Sequence, residues 1–187
     1  MNEPKTVEGA LLLCLDLQPV FLKAMASGDR VLRRCQFAVS AARTLGIPVA
    51  FTEQVPSKLG DTDMSLLLLA EPAEVHAKDT FSALAAGSPV RAALTEKRDI
   101  EHLILCGVET PICVFQTAVD AVQAGIAVTV LTDCVGARRE TDAEACLAAL
   151  ARAGAHILPS ETVFYTIVRG AAHPAFRTYT DLVKHYA

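Results

Sequence analysis

Short runs of consecutive apolar residues alternate along the chain with longer stretches in which apolar positions recur every three or four residues. Residues 10–15 (A-L-L-L-C-L) read as a first strand buried on both faces. A helix is expected over residues 29–45, where Val31, Leu32, Cys35, Val39, Ala42 and Leu45 fall at helical spacings and Gly46 with Pro48 stops the run. Residues 48–52 form a second strand, and 53–62 (E-Q-V-P-S-K-L-G-D-T) have the composition of a surface loop. The run 66–69 is too short to classify and reads as core or as a subunit contact. Residues 74–78 make a brief third strand, after which Ser88 and Pro89 supply an N-cap and a first-turn proline for a helix reaching about residue 97.

A fourth strand is expected over residues 102–106, and Thr110-Pro111 opens a helix that ends at Gly125. Residues 126–131 give a fifth strand, Thr141-Asp-Ala-Glu144 is a capping-box pattern for a helix finishing at Gly154, and 155–158 give a sixth strand. Helices over 160–168 and 175–186 complete the chain. Repeated strand–helix alternation, with helices long enough for crossovers, predicts an α/β fold: a three-layer α/β/α sandwich around a parallel six-stranded sheet, the order 3-2-1-4-5-6 being the one weighed for its site. No internal repeat or linker divides residues 1–187, so a single domain is expected.

Composition narrows the class. Hydrophobic residues make up 52% and charged residues 20% of the 187, enough apolar material for a substantial core. The net charge of −4, with scattered basic residues, gives no electrostatic footprint for a nucleic-acid partner. Residues 1–9 are polar and carry no basic n-region, and the six-residue apolar run that follows is far short of the roughly twenty needed to span a membrane. A cytoplasmic protein with no membrane partner is therefore expected, in which the six cysteines stay reduced. Cys14 and Cys106 in strands and Cys35 and Cys146 in helices read as core filling, while Cys134 falls in a stretch, 133–138, that reads as a loop with a structural salt bridge.

In a doubly wound parallel sheet, ligands bind beyond the carboxyl ends of the strands, where the strand order reverses. Three residues stand just after strand ends: Asp16, Lys78 and Cys113. With order 3-2-1-4-5-6, the ends of strands one and four flank the reversal, and strand three lies about 10 Å from strand one, within reach of a lysine. Cys113 falls in the first turn after Thr110-Pro111, where free N–H groups and the helix dipole predict a lowered thiol pKa. Asp16 is placed to accept the thiol proton and Lys78 to stabilise the resulting ion pair. Taken singly, each has a structural reading: a turn aspartate, a solvated lysine, a small apolar cysteine.

Asp16-Leu-Gln-Pro-Val-Phe21, Thr52-Glu-Gln-Val-Pro56, Lys78-Asp-Thr-Phe-Ser82 and Gly107-Val-Glu-Thr-Pro-Ile-Cys-Val114, in this order, resemble the isochorismatase-like cysteine hydrolases. The likeness continues through residues 116–120, 133–138 and 160–164 and is nearest to the isochorismatase-domain-containing hydrolases of unassigned substrate. It implies an Asp16-Lys78-Cys113 catalytic triad and a cis peptide at Val108–Glu109. It further implies an oxyanion hole from the Glu109 and Cys113 N–H groups, and oligomeric assembly. Gln18 and Gln54 match polar positions near the pocket and are candidates for substrate contact, and Phe21, Phe81 and Phe115 are candidates for its walls. Each of these aromatics reads equally well as plain core.

Three departures sharpen the expectation. Metal-dependent nicotinamidases of the superfamily carry an Asp-x-His pattern where this chain has Thr52-Glu53-Gln54, and His76, His102, His156, His173 and His185 are dispersed, so neither metal nor other cofactor is expected. True isochorismatases usually lack the cysteine, whereas Cys113 points to carbonyl chemistry through a thioester. Pro111 suits helix initiation and reshapes one wall. The leading expectation is a metal-independent, homo-oligomeric cysteine hydrolase of a small amide or related C–N bond. Its rivals are a catalytically silent oligomeric binding or scaffold protein of the same fold, and a redox-sensing thiol protein.

Overall fold

The computed structural model describes residues 8–187, apart from the side chains of residues 96 and 97. The polar leader read over residues 1–9 thus lies, except for Glu8 and Gly9, outside the described residues. Strands β1 (Ala10–Leu15), β2 (Val49–Gln54), β3 (Glu74–Lys78), β4 (His102–Val108), β5 (Ala127–Gly136) and β6 (His156–Leu158) form one sheet. All pairings are parallel, as the alternation predicts, and the order is β3-β2-β1-β4-β5-β6, the one weighed for the site.

The central strand β1 is wholly buried, and its side chains divide between two cores by the two-residue period of a strand. Leu12 and Cys14 join the core under α2 (Gly28–Thr44), α8 (Ser160–Val168) and α9 (Phe176–Tyr186), with Phe37, Phe164 and Tyr179 at its centre. Leu11, Leu13 and Leu15 join the core under α5 (Pro89–Lys97), α6 (Phe115–Gln123) and α7 (Glu140–Arg152), with Leu94, Ala118 and Leu150. The helices thus cover both faces and complete three layers. No helix among the described residues is long and apolar enough to cross a membrane.

Departures from the sequence reading cluster at strand ends. The stretch 53–62 is not wholly loop: β2 runs on through Gln54, and Pro56–Leu59 forms the short helix α3. Residues 66–69 belong to another short helix, α4 (Met64–Leu69), capped by the Asp63 carboxylate accepting from the Ser65 N–H at 3.0 Å. A further short helix, α1 (Pro19–Leu22), follows β1. Runs of four to six residues are too brief to show helical periodicity.

The helix expected to open at Thr110 begins as a wide π turn, Thr110–Val114, before α6. Glu109, not Thr110, is its N-cap, and the Thr110 hydroxyl instead donates to Gly136 O at 3.1 Å, fastening the turn to the end of β5. Strand β5 continues past the expected end at Leu131, because an irregularity opposite Leu105 and Gly107 restores pairing over Val135 and Gly136. The capping box at Thr141 and Glu144 does not form. The helix starts earlier, at Glu140, with Arg139 as its N-cap and no side-chain cap bond. Cys146 is half-buried on α7, not in the core, whereas Cys14, Cys35, Cys106 and Cys134 are fully buried.

Candidate active site

Strand order alone brings three distant segments together. Asp16 follows β1, Lys78 ends β3, and Cys113 lies in the π turn after β4, at the carboxyl edge where the order reverses. All three are buried, at 1%, 6% and 7% exposure. The Lys78 ammonium donates to Asp16 Oδ2 at 2.7 Å and lies 3.7 Å from the Cys113 sulfur.

Asp16 adopts a left-handed backbone (φ 53°), a conformation that aspartate tolerates better than most residues and that turns the chain sharply off the strand. Its N–H donates to Thr52 O at 3.1 Å, and its Oδ1 accepts from the Thr52 hydroxyl at 2.7 Å. Lys78 in turn shares its protons among Asp16 Oδ2, Gln54 Oε1 at 2.6 Å, Thr80 O at 3.2 Å and the Cys113 sulfur. Removing one member of this buried ion pair would leave the other charge without compensation, a far larger penalty than the pair's net contribution.

The Cys113 thiol does not behave as its place in the chain predicts. Burial, and then the nearby Asp16 carboxylate, push its pKa up to about 12, against the opposing pull of Lys78. The expected lowering by a helix N-terminus fails because the sulfur is buried beside a carboxylate within a five-residue π turn. At rest the sulfur carries its proton.

A hollow of about 70 Å³ opens onto the sulfur, lined by Asp16, Phe21, Gln54, Phe81, Val108, Glu109, Ile112 and Cys113. The Val108–Glu109 peptide at its edge is cis, and the Glu109 N–H has no protein partner among the described residues. The Glu109 carboxylate turns outward to Arg138 Nε, 3.0 Å away. Phe21, Phe81 and Gln54 are thus in the wall.

Gln18 and Phe115 are not in the wall. Gln18 is fully buried and serves as a clamp: its Oε1 accepts from the Gln54 N–H at 2.8 Å, and its Nε2 donates to Gln54 O at 3.1 Å and Gly60 O at 2.5 Å. Phe115 packs against the core on the α6 side of the sheet. Sequence reasoning missed Thr52, whose role follows from its register opposite Leu15, and Val108 and Ile112, which read as ordinary apolar residues. It also missed the anchor of the loop after β3. There the Ser82 hydroxyl donates to Asp120 at 2.6 Å, and the Thr117 hydroxyl accepts from the Ala83 N–H at 3.0 Å, fixing the segment that carries Phe81.

The histidines stay apart from this cluster, and among the described residues no group of three His, Cys, Asp or Glu side chains is arranged to hold a metal ion. At the end of β2, where the metal-dependent enzymes would need a ligand, Gln54 holds Lys78 and donates to Asp79 O at 3.1 Å. What this arrangement can do is pass a proton from a buried thiol to a carboxylate while a small electrophile occupies the adjoining hollow.

Comparison with known proteins gives a consistent picture. Isochorismatase domain-containing protein 2 of Danio rerio is 32% identical over 180 residues, covering 96% of this chain and 89% of its own. Among solved structures, the MAR1 ribonuclease of Caenorhabditis elegans superposes with a TM-score of 0.86 at 30% identity, covering 96% of this chain and 92% of that one. The YcaC gene product of Escherichia coli, described as an octameric hydrolase of unknown specificity, shares the fold with a TM-score of 0.73 at 19% identity, over 100% of this chain and 98% of its own. The family model of the isochorismatase domain matches residues 10–162, which takes in Asp16, Lys78 and Cys113, and the chain belongs to that family.

Proposed function

We propose that the protein is a metal-independent cysteine hydrolase that cleaves a small amide or related C–N bond, with Cys113 as nucleophile, Asp16 as general base and acid, and Lys78 as the fixed positive charge between them. The observation that carries this reading is the contact of three side chains from three strand ends: Lys78 Nζ at 2.7 Å from Asp16 and 3.7 Å from the sulfur, with Asp16 and Cys113 both lining one hollow.

The steps follow from the groups present. Asp16 takes the thiol proton as the Cys113 sulfur attacks the carbonyl carbon, and the oxyanion so formed is met by the N–H groups of Glu109 and Cys113. Collapse breaks the C–N bond, and the proton held by Asp16 leaves with the amine. A water, losing its proton to Asp16, then attacks the thioester; the C–S bond breaks, the acid departs and the thiol is restored. A thiol whose pKa stands near 12 is a poor nucleophile without a base, so turnover depends on Asp16 as well as on sulfur. Lys78, which also donates to the sulfur, stabilises the thiolate as it forms and acts through its field.

The ribonuclease name of the C. elegans relative suggests phosphodiester chemistry for that protein. Here the small hollow, the engaged lysine and the net charge of −4 favour a small carbonyl substrate over a polynucleotide. Homo-oligomeric assembly belongs to the same reading. It is supported by Met64 and Leu68 of α4, each 64% exposed, and by the octamer described for YcaC. The test of the chemistry is substitution: Cys113→Ala is expected to abolish turnover across a panel of small amides, and activity retained in that variant would refute the mechanism.

A further inference from the structure

The hollow beside Cys113 limits what can be acylated there. An apolar cavity of about 150 Å³ accommodates one benzene molecule, or roughly 25 Å³ for each carbon. At about 70 Å³, this one holds about three non-hydrogen atoms beyond its open side and is less than half of what an aromatic ring needs. Phe81, 55% exposed, stands at its rim, and Phe21, Val108 and Ile112 give it an almost entirely apolar surface.

The carboxylate and amide side chains that border the hollow are already engaged. Asp16 is held by Thr52 and Lys78, and both ends of the Gln54 amide are bonded, to Lys78 and to Asp79 O. Glu109 faces Arg138. A carboxylate on the acyl group would therefore lose its hydration without finding a counterion. A second hollow, of about 120 Å³ and walled by Arg138, Arg139 and Asp142, shares only Glu109 and Ile112 with the first, and its Arg138 is paired with the Glu109 carboxylate.

Building on the hydrolase reading above, we infer that the site selects amides of neutral, unbranched aliphatic acyl groups of about two to four carbons and rejects aromatic and anionic ones. Each methylene that fits is worth roughly a fourfold gain in kcat/KM, and the first that does not fit reverses the trend.

The test uses acetamide, propionamide, butyramide, hexanamide, nicotinamide and succinamate in two assays of the full chain. One is ammonia release; the other is protection of Cys113 from iodoacetamide, which needs no turnover. The expected result is a rise of about fourfold per methylene to an optimum at three or four carbons in both assays, with neither nicotinamide nor succinamate turned over or protecting. Ile112→Ala and Phe81→Ala, wall residues outside the proton-transfer machinery, should each move the optimum to a longer chain. Preferred hydrolysis of nicotinamide, hexanamide or succinamate would overturn the size and charge limit while leaving the hydrolase intact. Length-dependent protection without any ammonia release would uphold the limit and overturn the hydrolase. Absence of both would overturn the two together.

Discussion

A thiol with its pKa raised to about 12 sits beside the carboxylate that contributes to raising it, and this pairing makes two properties of Cys113 separable. Burial is the largest cause and stays in place on substitution, but Asp16→Asn removes the next one, the negative charge, and leaves Lys78 to lower the pKa. The variant is therefore expected to alkylate on the order of tenfold faster at pH 8, while its turnover falls about 10²–10⁴-fold for want of a base. Stopped iodoacetamide reactions and ammonia release measure the two directly. A variant slowed in both would mean that Asp16 does not act on the sulfur as described. At this scale the sequence exposed the three strand-end residues, because polar groups there break long apolar runs. It misjudged Gln18 and the thiol pKa, since nearness in the chain says nothing about which way an amide points or how far a sulfur is from water.

Gly107 shows how an element, not a side chain, holds the site. It pairs with Leu15 across β4 and β1 at φ 117°, and a Cβ there would fall 2.1 Å from Leu15 O and 2.6 Å from Leu15 N. Because Asp16 is the next residue, any retreat of Leu15 displaces the proposed base. Gly107→Ala is expected to cost about 3 kcal/mol or more, a drop in Tm of about 6–12 °C, and to leave the surviving folded fraction without turnover. A calorimetric scan with activity measured alongside checks this, and an undisturbed Tm would contradict the close packing of these strands. The long helices and the strands were legible from apolar spacing and from proline and glycine stops. The π turn and the tail of β5 were not, because both depend on contacts across the sheet, such as that from Thr110 to Gly136 O.

For the molecule as a whole, the parallel sheet covered on both faces follows from alternation and from the reach of the crossovers, which is why it could be anticipated. What fastens α2 and α8 to the far end of β5 is less visible in sequence. Arg34 of α2 meets Asp133 of β5 at 2.8 Å and also bonds to Ser160 and Glu161 of α8, while the Ser160 N–H donates to the same carboxylate at 2.7 Å. Burial pushes the Asp133 carboxyl up, but the bonds from Ser160 and Arg34 outweigh it and hold it below its ordinary value. A depressed carboxyl gives stability that is full above its unfolded pKa, near 4, and is lost as pH falls below that. Asp133→Asn should therefore cost about 2 kcal/mol at neutral pH, with the difference from the natural chain shrinking as pH falls from about 5 towards 3. Urea unfolding across that interval reads the difference, and two parallel pH curves would contradict the network.

The central claim is that the sulfur of Cys113 becomes covalently acylated with the help of Asp16. Intact-protein mass spectrometry after rapid acid quench, with propionamide as substrate, tests it most directly. The account predicts a propionyl mass increment located on Cys113 that appears and decays during turnover and is absent from Cys113→Ala and Asp16→Asn. Hydrolysis by the Cys113→Ala protein, or an acyl group found on a different residue, would contradict it.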